Sequence, residues 1–222
     1  MAVGAIIVAA GRSERMGGVD KLLLELGGRP VLAHSIRVFA ARPDVETLVI
    51  VVSGTNEAAV RGLVKDLAPE ALIVLGGIRR RDSVLNGLEA LPPGTEYVLV
   101  HDGARPLVTS GLIDAALAGA REHGAAICAV PLTDTVKRAG EDGFVRSTVS
   151  RQGLYLAQTP QAFHADLLRH AHSFSDIDAT DDASMVELMD APVLLVQGST
   201  RNIKLTTVED LRLAQALLAA DA

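Results

Sequence analysis

The chain has 222 residues, of which 49% are hydrophobic and 22% charged, and its formal net charge is −6. This length fits one domain with a real core, and the negative charge argues against nucleic-acid binding, which needs basic surface to displace counterions. The single cysteine, Cys128, excludes an internal disulfide framework and is compatible with a reducing compartment.

An apolar run opens the chain at residues 3–10. It lacks the basic region that begins a signal peptide, and it is too short to span a membrane. The rest of the sequence has no uncharged stretch of spanning length. We therefore expect a cytoplasmic protein without a membrane segment.

Apolar, β-branched runs alternate with amphipathic ones along the chain, which is typical of a mostly parallel sheet covered by helices on both faces. The pattern predicts a single α/β domain over residues 1–222 with a Rossmann-like sheet. Strands are predicted at 3–10, 46–53, 71–75, 96–101, 125–130 and 193–197. Helices are predicted near 30–41, 56–66, 80–90, 109–121, 164–171 and 207–219.

The segment 134–150 breaks this rhythm, because its residues alternate and are largely polar around an evident turn at 139–143. It predicts a β-hairpin arm in place of a crossover helix. An isolated arm of this kind has too little apolar surface to be stable. We therefore expect it to lie on another surface, such as a second copy of the chain.

The loop after the first predicted strand combines small residues with cations. In open α/β sheets, ligands bind beyond the carboxyl ends of the strands, which is where this loop lies. Ala9, Ala10 and Gly11 let a nucleotide approach the backbone, and Arg12, Arg15 and Lys21 supply positive charge. The combination favours a phosphate-binding loop over an ordinary solvated turn.

Two common phosphate motifs do not describe this loop. A dinucleotide fingerprint needs G-x-G-x-x-G, but no glycine follows Gly11 until Gly17. A P-loop needs Gly-Lys followed by Ser or Thr, but Gly18 and Lys21 are separated.

Two later segments carry candidate binding groups. Gly76 and Gly77 would let a pyrimidine edge meet the backbone, and Ser83 offers a hydroxyl; the alternative is a capped strand–helix turn. Asp102 ends the predicted central strand, where its carboxylate can hold Mg²⁺ together with triphosphate oxygens. The alternative for Asp102 is a structural ion pair with Arg105.

The loop Ala9-Ala10-Gly11…Arg15-Met16…Lys21 resembles the signature of sugar-nucleotide pyrophosphorylases and related nucleotidyltransferases. Further motifs keep the order of the 2-C-methyl-D-erythritol 4-phosphate cytidylyltransferase family and cover almost the whole chain. They are Gly76-Gly77, Arg80-Arg81-Asp82-Ser83-Val84, His101-Asp102-Gly103-Ala104-Arg105-Pro106, Asp134-Thr135-Val136-Lys137-Arg138, Thr159-Pro160-Gln161 and Asn202-Ile203-Lys204. On these motifs the chain is identified as a member of that family.

The resemblance implies an enzyme that uses Mg²⁺ to transfer CMP from CTP to methylerythritol phosphate, with release of pyrophosphate. It also implies a homodimer in which the arm crosses to a partner subunit, so that the active site is shared. The implied catalytic residues are Arg15 and Lys21. The implied nucleotide-binding residues are Ala9, Ala10, Gly11, Gly77, Ser83, Asp102 and Gly103, with Asp102 also holding the metal. The implied substrate-phosphate residues are Thr135, Lys204 and Arg105, with Arg151 and Thr159 completing the pocket across the dimer.

The chain departs from the family pattern at a few positions. Asp20 stands where the family usually has Pro, and Gly103 where it usually has Ala. Thr200 and Arg201 occupy the region where the family commonly has an acid that holds the erythritol hydroxyls.

Three other functions remain open from the sequence. A ribitol-5-phosphate cytidylyltransferase shares the first loop and much of the rest, whereas a molybdopterin guanylyltransferase shares only the loop. A nucleotide-binding module without catalysis is the third, and the joint presence of Arg15, Lys21 and Asp102 argues against it.

Overall fold

The structure, a computed structural model, describes residues 1–11, 20–174 and 177–220. Its strands are β1 (Val3–Ala9), β2 (Glu25–Leu26), β3 (Arg29–Pro30), β4 (Val45–Val52), β5 (Leu72–Leu75), β6 (Tyr97–Asp102), β7 (Ala125–Pro131), β8 (Val136–Ala139), β9 (Val145–Val149), β10 (Tyr155–His164) and β11 (Leu194–Gln197). Its helices are α1 (Val31–Ala40), α2 (Glu57–Leu67), α3 (Arg80–Ala90), α4 (Ser110–His123), α5 (Ala165–Phe174), α6 (Asp182–Glu187) and α7 (Val208–Ala219). None of the described helices is both long and apolar enough to cross a membrane.

A seven-stranded sheet in the order β11-β7-β10-β6-β1-β4-β5 forms the centre of the fold. Every neighbouring pair in this sheet is parallel except those of β10, which runs antiparallel to both β6 and β7. The predicted mostly parallel α/β sheet is therefore confirmed.

Side chains on alternate strand positions fill two separate cores, one on each face of the sheet. In β1, Ile7 packs into a core covered by α1, α2, α4 and α7, whereas Ile6 packs into a core covered by α3, α5 and α6. Because both faces of the strands are buried, their sequences read as continuous apolar runs. This explains why the periodicity located the parallel strands to within one or two residues.

The antiparallel strand β10 was not predicted. Its sequence contains Pro160, which cannot donate a ladder hydrogen bond and is a signal against an inner strand. In the structure Pro160 lies where the register with β7 shifts, between Ala157 and Gln161, and the pairing with β6 begins only at Gln161. The missing N–H therefore interrupts the strand at a point where the ladder is already broken. The helix α6 and the short β2–β3 hairpin were also missed.

The predicted hairpin arm is present. Strands β8 and β9 pair antiparallel in a two-stranded sheet of their own, and Gly143 adopts a positive φ of 79° in the turn that joins them. Next to the turn, Phe144 is 70% exposed and Val145 is 61% exposed. These apolar side chains are uncovered within one chain.

Two helical glycines give a matched test of how closely α4 packs on the sheet. A Cβ on Gly119 would lie 2.7 Å from the Cβ of Ala126 in β7, whereas a Cβ on the exposed Gly62 of α2 meets nothing within 4 Å. Alanine raises helix propensity at both sites by about 1 kcal/mol. We expect Gly62→Ala to raise the free energy of unfolding, and Gly119→Ala to lower it by about 1 kcal/mol or more, because overpacking outweighs propensity. Urea unfolding measures both, and equal stabilisation by the two changes would contradict the close packing.

Candidate active site

The candidate site lies at the carboxyl edge of the sheet, beside the point where the strand order reverses. From β1 the chain proceeds to β4 on one side, and β6 lies on the other, which is the position where open α/β sheets bind ligands. A first cavity of about 280 Å³ opens there. Among the residues that line it are Ala10, Gly11, Lys21, Gly77, Ser83, Arg80, Asp102 and Lys204.

Asn56 ties together the two ends of the loop that follows β1. Its side-chain amide donates to the carbonyl of Ala9 at 2.9 Å and to Oδ2 of Asp20 at 2.8 Å. The other carboxylate oxygen of Asp20 accepts from the N–H of Leu22 at 3.0 Å. Asp20, which replaces the usual Pro, therefore anchors the return of the loop and places Lys21 at the first cavity. The predicted catalytic Arg15 lies outside the described residues.

Gly77 and Ser83 also line the first cavity, and Gly76 precedes them directly after β5. The Oγ of Ser83 accepts from the N–H of Gly77 at 3.1 Å and donates to the carbonyl of Arg79 at 3.3 Å. A Cβ on Gly76 would lie only 2.4 Å from the Cβ of Ala10, so the two loops approach each other closely. The hydroxyl thus fixes the strand–helix turn, as the structural interpretation of Ser83 predicted. The side chain of Ser83 also lines the cavity.

Asp102 lies at the centre of a cluster of cations. Its carboxylate is 2.7 Å from Nζ of Lys204, 3.4 Å from Nε of Arg80 and 3.8 Å from Nε of Arg105. Burial on its own would raise the pKa of Asp102, but the charges of Arg80 and Lys204 outweigh burial and hold the pKa well below its usual range. The carboxylate is therefore ionised near neutral pH.

A second cavity of about 210 Å³ adjoins the first and shares Arg80, Asp102 and Lys204 with it. Arg105 and Thr159 also line this second cavity. The guanidinium of Arg105 donates to the carbonyl of Asn202 at 2.7 Å, which holds it in place. The arrangement offers two adjacent binding spaces that meet at one cluster of positive charge.

A buried hydrogen-bond chain behind the site fixes the turn that carries Asp102. The N–H of Asp102 donates to Oγ of Thr159 at 3.0 Å, so the Thr159 hydroxyl can donate to Nδ1 of His101, also at 3.0 Å. His101 then carries its proton on Nε2, which donates to the carbonyl of Arg105 at 3.2 Å. The family resemblance implied a role for Thr159 across the dimer, whereas in the structure its hydroxyl supports Asp102 of its own chain.

The remaining predicted residues that the structure describes do not line either cavity. Ala9 is buried in the core and contributes its carbonyl to Asn56, and the N–H of Gly103 donates to the carbonyl of Val8 at 2.9 Å. Thr135 and Arg151 are exposed near the arm, and Arg151 donates to the carbonyl of Thr133. Arg80 was not among the predicted site residues, although the motif containing it was recognised.

A sequence model of the family described as 2-C-methyl-D-erythritol 4-phosphate cytidylyltransferase matches residues 3–220. The chain is 48% identical to a protein of that name from Pelotomaculum thermopropionicum, over 98% of this chain and 94% of that protein. It is 46% identical to a protein of the same name from Dehalococcoides mccartyi, over 97% of this chain and 96% of that one.

A crystal structure of 4-diphosphocytidyl-2C-methyl-D-erythritol synthase from Anaerococcus prevotii superposes on the chain with a TM-score of 0.86. The two sequences are 33% identical, and the match covers 98% of each chain. The two chains thus share their fold along nearly their full length.

His101 gives a prediction for stability against pH. Burial lowers the pKa of His101 to about 4, from an ordinary value of 6.5, although the charge of Asp102 acts in the opposite direction. Between these values the unfolded chain binds a proton that the folded chain does not, so the free energy of unfolding falls as the pH falls. From pH 7.5 to 5 this single group accounts for a loss of about 2 kcal/mol.

The test is urea unfolding of the metal-free protein at both pH values. His101→Gln should reduce the pH dependence by about 2 kcal/mol, because the titrating group is gone. Ser35→Ala is the control, since it removes a hydroxyl 3.4 Å from Nε2 of His101 and leaves the imidazole in place. It should keep the wild-type pH dependence, and an unchanged dependence in His101→Gln would contradict the prediction.

Proposed function

Since the chain belongs to the 2-C-methyl-D-erythritol 4-phosphate cytidylyltransferase family, we propose that its two adjoining cavities bind CTP and methylerythritol phosphate side by side. The enzyme converts these substrates to 4-diphosphocytidyl-2-C-methyl-D-erythritol and pyrophosphate, in isoprenoid precursor biosynthesis. We place the reaction in the cytoplasm, where the buried free thiol of Cys128 is stable.

The observation that carries the proposal is the meeting of the two cavities at Lys204, Arg80 and Asp102. CTP fits the first cavity, because its walls present the small residues Ala10 and Gly77 and the cation of Lys21. The phosphate monoester fits the second, beside Lys204 and Arg105. The two anions would then meet where positive charge is concentrated.

The chemistry needs positioning and charge more than proton transfer. The second pKa of a phosphate monoester is about 6, so the acceptor is largely ionised near neutral pH and needs no general base. One of its oxygens attacks the α-phosphorus of CTP and forms a new P–O bond. The bond from the α-phosphorus to the bridging oxygen breaks, and pyrophosphate leaves with that electron pair. We assign Arg15 and Lys21 to the charge that develops on the α-phosphoryl group and the leaving pyrophosphate.

A divalent cation fits the site together with the triphosphate. Among the residues that the structure describes, no three His, Cys, Asp or Glu side chains form a metal-binding group. Mg²⁺ commonly takes one or two carboxylates and fills its remaining positions with phosphate oxygens and water. Asp102, an ionised carboxylate at the junction, suits that requirement, and we assign Mg²⁺ to it. When bound, the ion neutralises charge on the phosphate oxygens.

A homodimer with shared active sites is also part of the proposal. Phe144 and Val145 of the arm are exposed within one chain, and an isologous partner would cover them. Arg151 and Thr135 are exposed near the same arm. Crossing of the arm would bring Arg151 to the phosphate pocket of the partner subunit.

The substrate assignment is tested by pyrophosphate release with four nucleoside triphosphates and two acceptors, methylerythritol phosphate and ribitol phosphate. We expect CTP with methylerythritol phosphate to be the fastest pair. Lys21→Ala is the control for contaminating activity and should be slower by about 10²-fold or more, because one preorganised contact to the developing charge is lost. Faster turnover with ribitol phosphate or with GTP would reject the substrate assignment and leave the reaction class standing.

The shared site is tested by purifying a mixed dimer of Lys21→Ala and Arg151→Ala subunits through two different tags. If Arg151 acts across the interface, one site receives both defects and the other receives neither, so activity returns to about half of the wild-type value. A mixed dimer of Lys21→Ala and Lys204→Ala is the control. Both lysines line one cavity of one chain, so each of its sites stays defective. Absence of recovery with Arg151→Ala would sink the shared-site model.

A further inference from the structure

Four charged side chains form a row from the core to the cavities. Oδ2 of Asp182 is 2.8 Å from Nη2 of Arg80, Nε of Arg80 is 3.4 Å from Oδ1 of Asp102, and Oδ2 of Asp102 is 2.7 Å from Nζ of Lys204. The Asp182 side chain is fully buried, whereas that of Lys204 is 41% exposed. The row thus connects a fixed anion to a cation at the mouth of the cavities.

We propose that Arg80 is a positioning residue for the acceptor phosphate. The buried carboxylate of Asp182 holds Arg80, and Arg80 in turn fixes the carboxylate of Asp102 and, through Asp102, the ammonium of Lys204. This inference rests on the proposed function, in which Lys204 binds the phosphate of the acceptor.

Asp182 is a firm anchor because the backbone around it is fixed. Its N–H donates to Oε1 of Gln161 at 3.1 Å, and Asp181 caps the start of α6 by accepting from the N–H of Ser184 at 3.1 Å. Among the described residues, neither carboxylate oxygen of Asp182 accepts a hydrogen bond of good geometry. The ion pair with Arg80 is therefore its direct compensation, and a buried carboxylate without such compensation is strongly destabilising.

An arginine suits this position better than a lysine would. The guanidinium presents separate nitrogens in a planar fork, so Arg80 contacts Asp182 through Nη2 and Asp102 through Nε. An ammonium is a single point charge and cannot hold two carboxylates at these separate places. If Arg80 loses one of these two contacts, only Lys204 and Arg105 remain to orient the carboxylate of Asp102.

The consequence for the reaction concerns the acceptor. Asp102 shares its charge among Arg80, Lys204 and Arg105. Without the contact from Arg80, the carboxylate of Asp102 turns toward Lys204. The Asp102–Lys204 ion pair becomes tighter, and the ammonium of Lys204 moves from its original position. The ammonium then meets the acceptor phosphate less well, whereas the part of the first cavity formed by Ala10, Gly77 and Ser83 is unchanged.

The experiment compares Arg80→Lys, Asp182→Asn and the double variant with wild type, by kcat and by KM for each substrate. We expect each single change to raise KM for methylerythritol phosphate about tenfold or more. KM for CTP should rise less, because Asp102 also holds the Mg²⁺ assigned to CTP but the nucleotide keeps its contacts with Ala10, Gly77 and Ser83. Because the two residues act in series, the double variant should be little worse than the worse single variant. Thermal unfolding is measured for every variant.

Arg42→Lys is the matched control. Arg42 also bridges two carboxylates, with Nη2 at 2.8 Å from Asp44 and 2.7 Å from Asp114, but it lies between α1 and β4, at the opposite edge of the sheet. It should lower stability without changing either KM.

Three outcomes would overturn the positioning role: a wild-type KM for methylerythritol phosphate in folded Arg80→Lys, equal rises in both KM values, or additive effects in the double variant. If Arg80→Lys does not fold, the KM values of Asp182→Asn alone test the proposal, because this change removes the ion pair of Arg80 with Asp182 and keeps Arg80 itself. Failure of the wild-type protein to use CTP with methylerythritol phosphate would reject the proposed function, which is a separate result.

Discussion

The site depends on the ion pairs that the carboxylate of Asp102 makes with three surrounding cations. Lys204, Arg80 and Arg105 approach it to 2.7, 3.4 and 3.8 Å, and these cations would repel one another without an anion between them. Asp102 therefore lets the protein hold several positive charges in fixed places before a phosphate arrives. Charge that is fixed in advance needs no reorganisation during the reaction, which is why it stabilises a transition state effectively.

The position of Asp102 depends in turn on the one antiparallel strand. Because β10 is inserted between β6 and β7, Thr159 lies directly beside the end of β6 and accepts from the N–H of Asp102. His101 accepts from Thr159 and must be neutral to do so. Burial keeps the imidazole uncharged, so the support behind Asp102 adds no further positive charge to the cluster. The position of Asp102 thus depends on the placement of β10 beside β6 and on a neutral imidazole at His101.

The sequence predicted those parts of the molecule that are encoded locally. The buried parallel strands follow from continuous apolar runs, and Lys21, Asp102 and Lys204 were predicted as site residues because they stand in segments that match the family motifs. The pairing of β10 is non-local and its strand pattern is broken by Pro160, so it was missed. Arg80 stands in a run of three arginines, and only tertiary distances separate its contacts from those of its neighbours.

The departures from the family pattern show how the same geometry is held by other contacts. Asp20 replaces a conformational restriction by hydrogen bonds to Asn56 and to the backbone of Leu22. Arg201 donates from Nη2 to the carbonyl of Leu217, which directs it toward the end of α7. The carboxylates that line the second cavity are Asp102 and Asp181. The segment before Asn202 supplies no acid to this cavity, so its two carboxylates come from the end of β6 and from the start of α6.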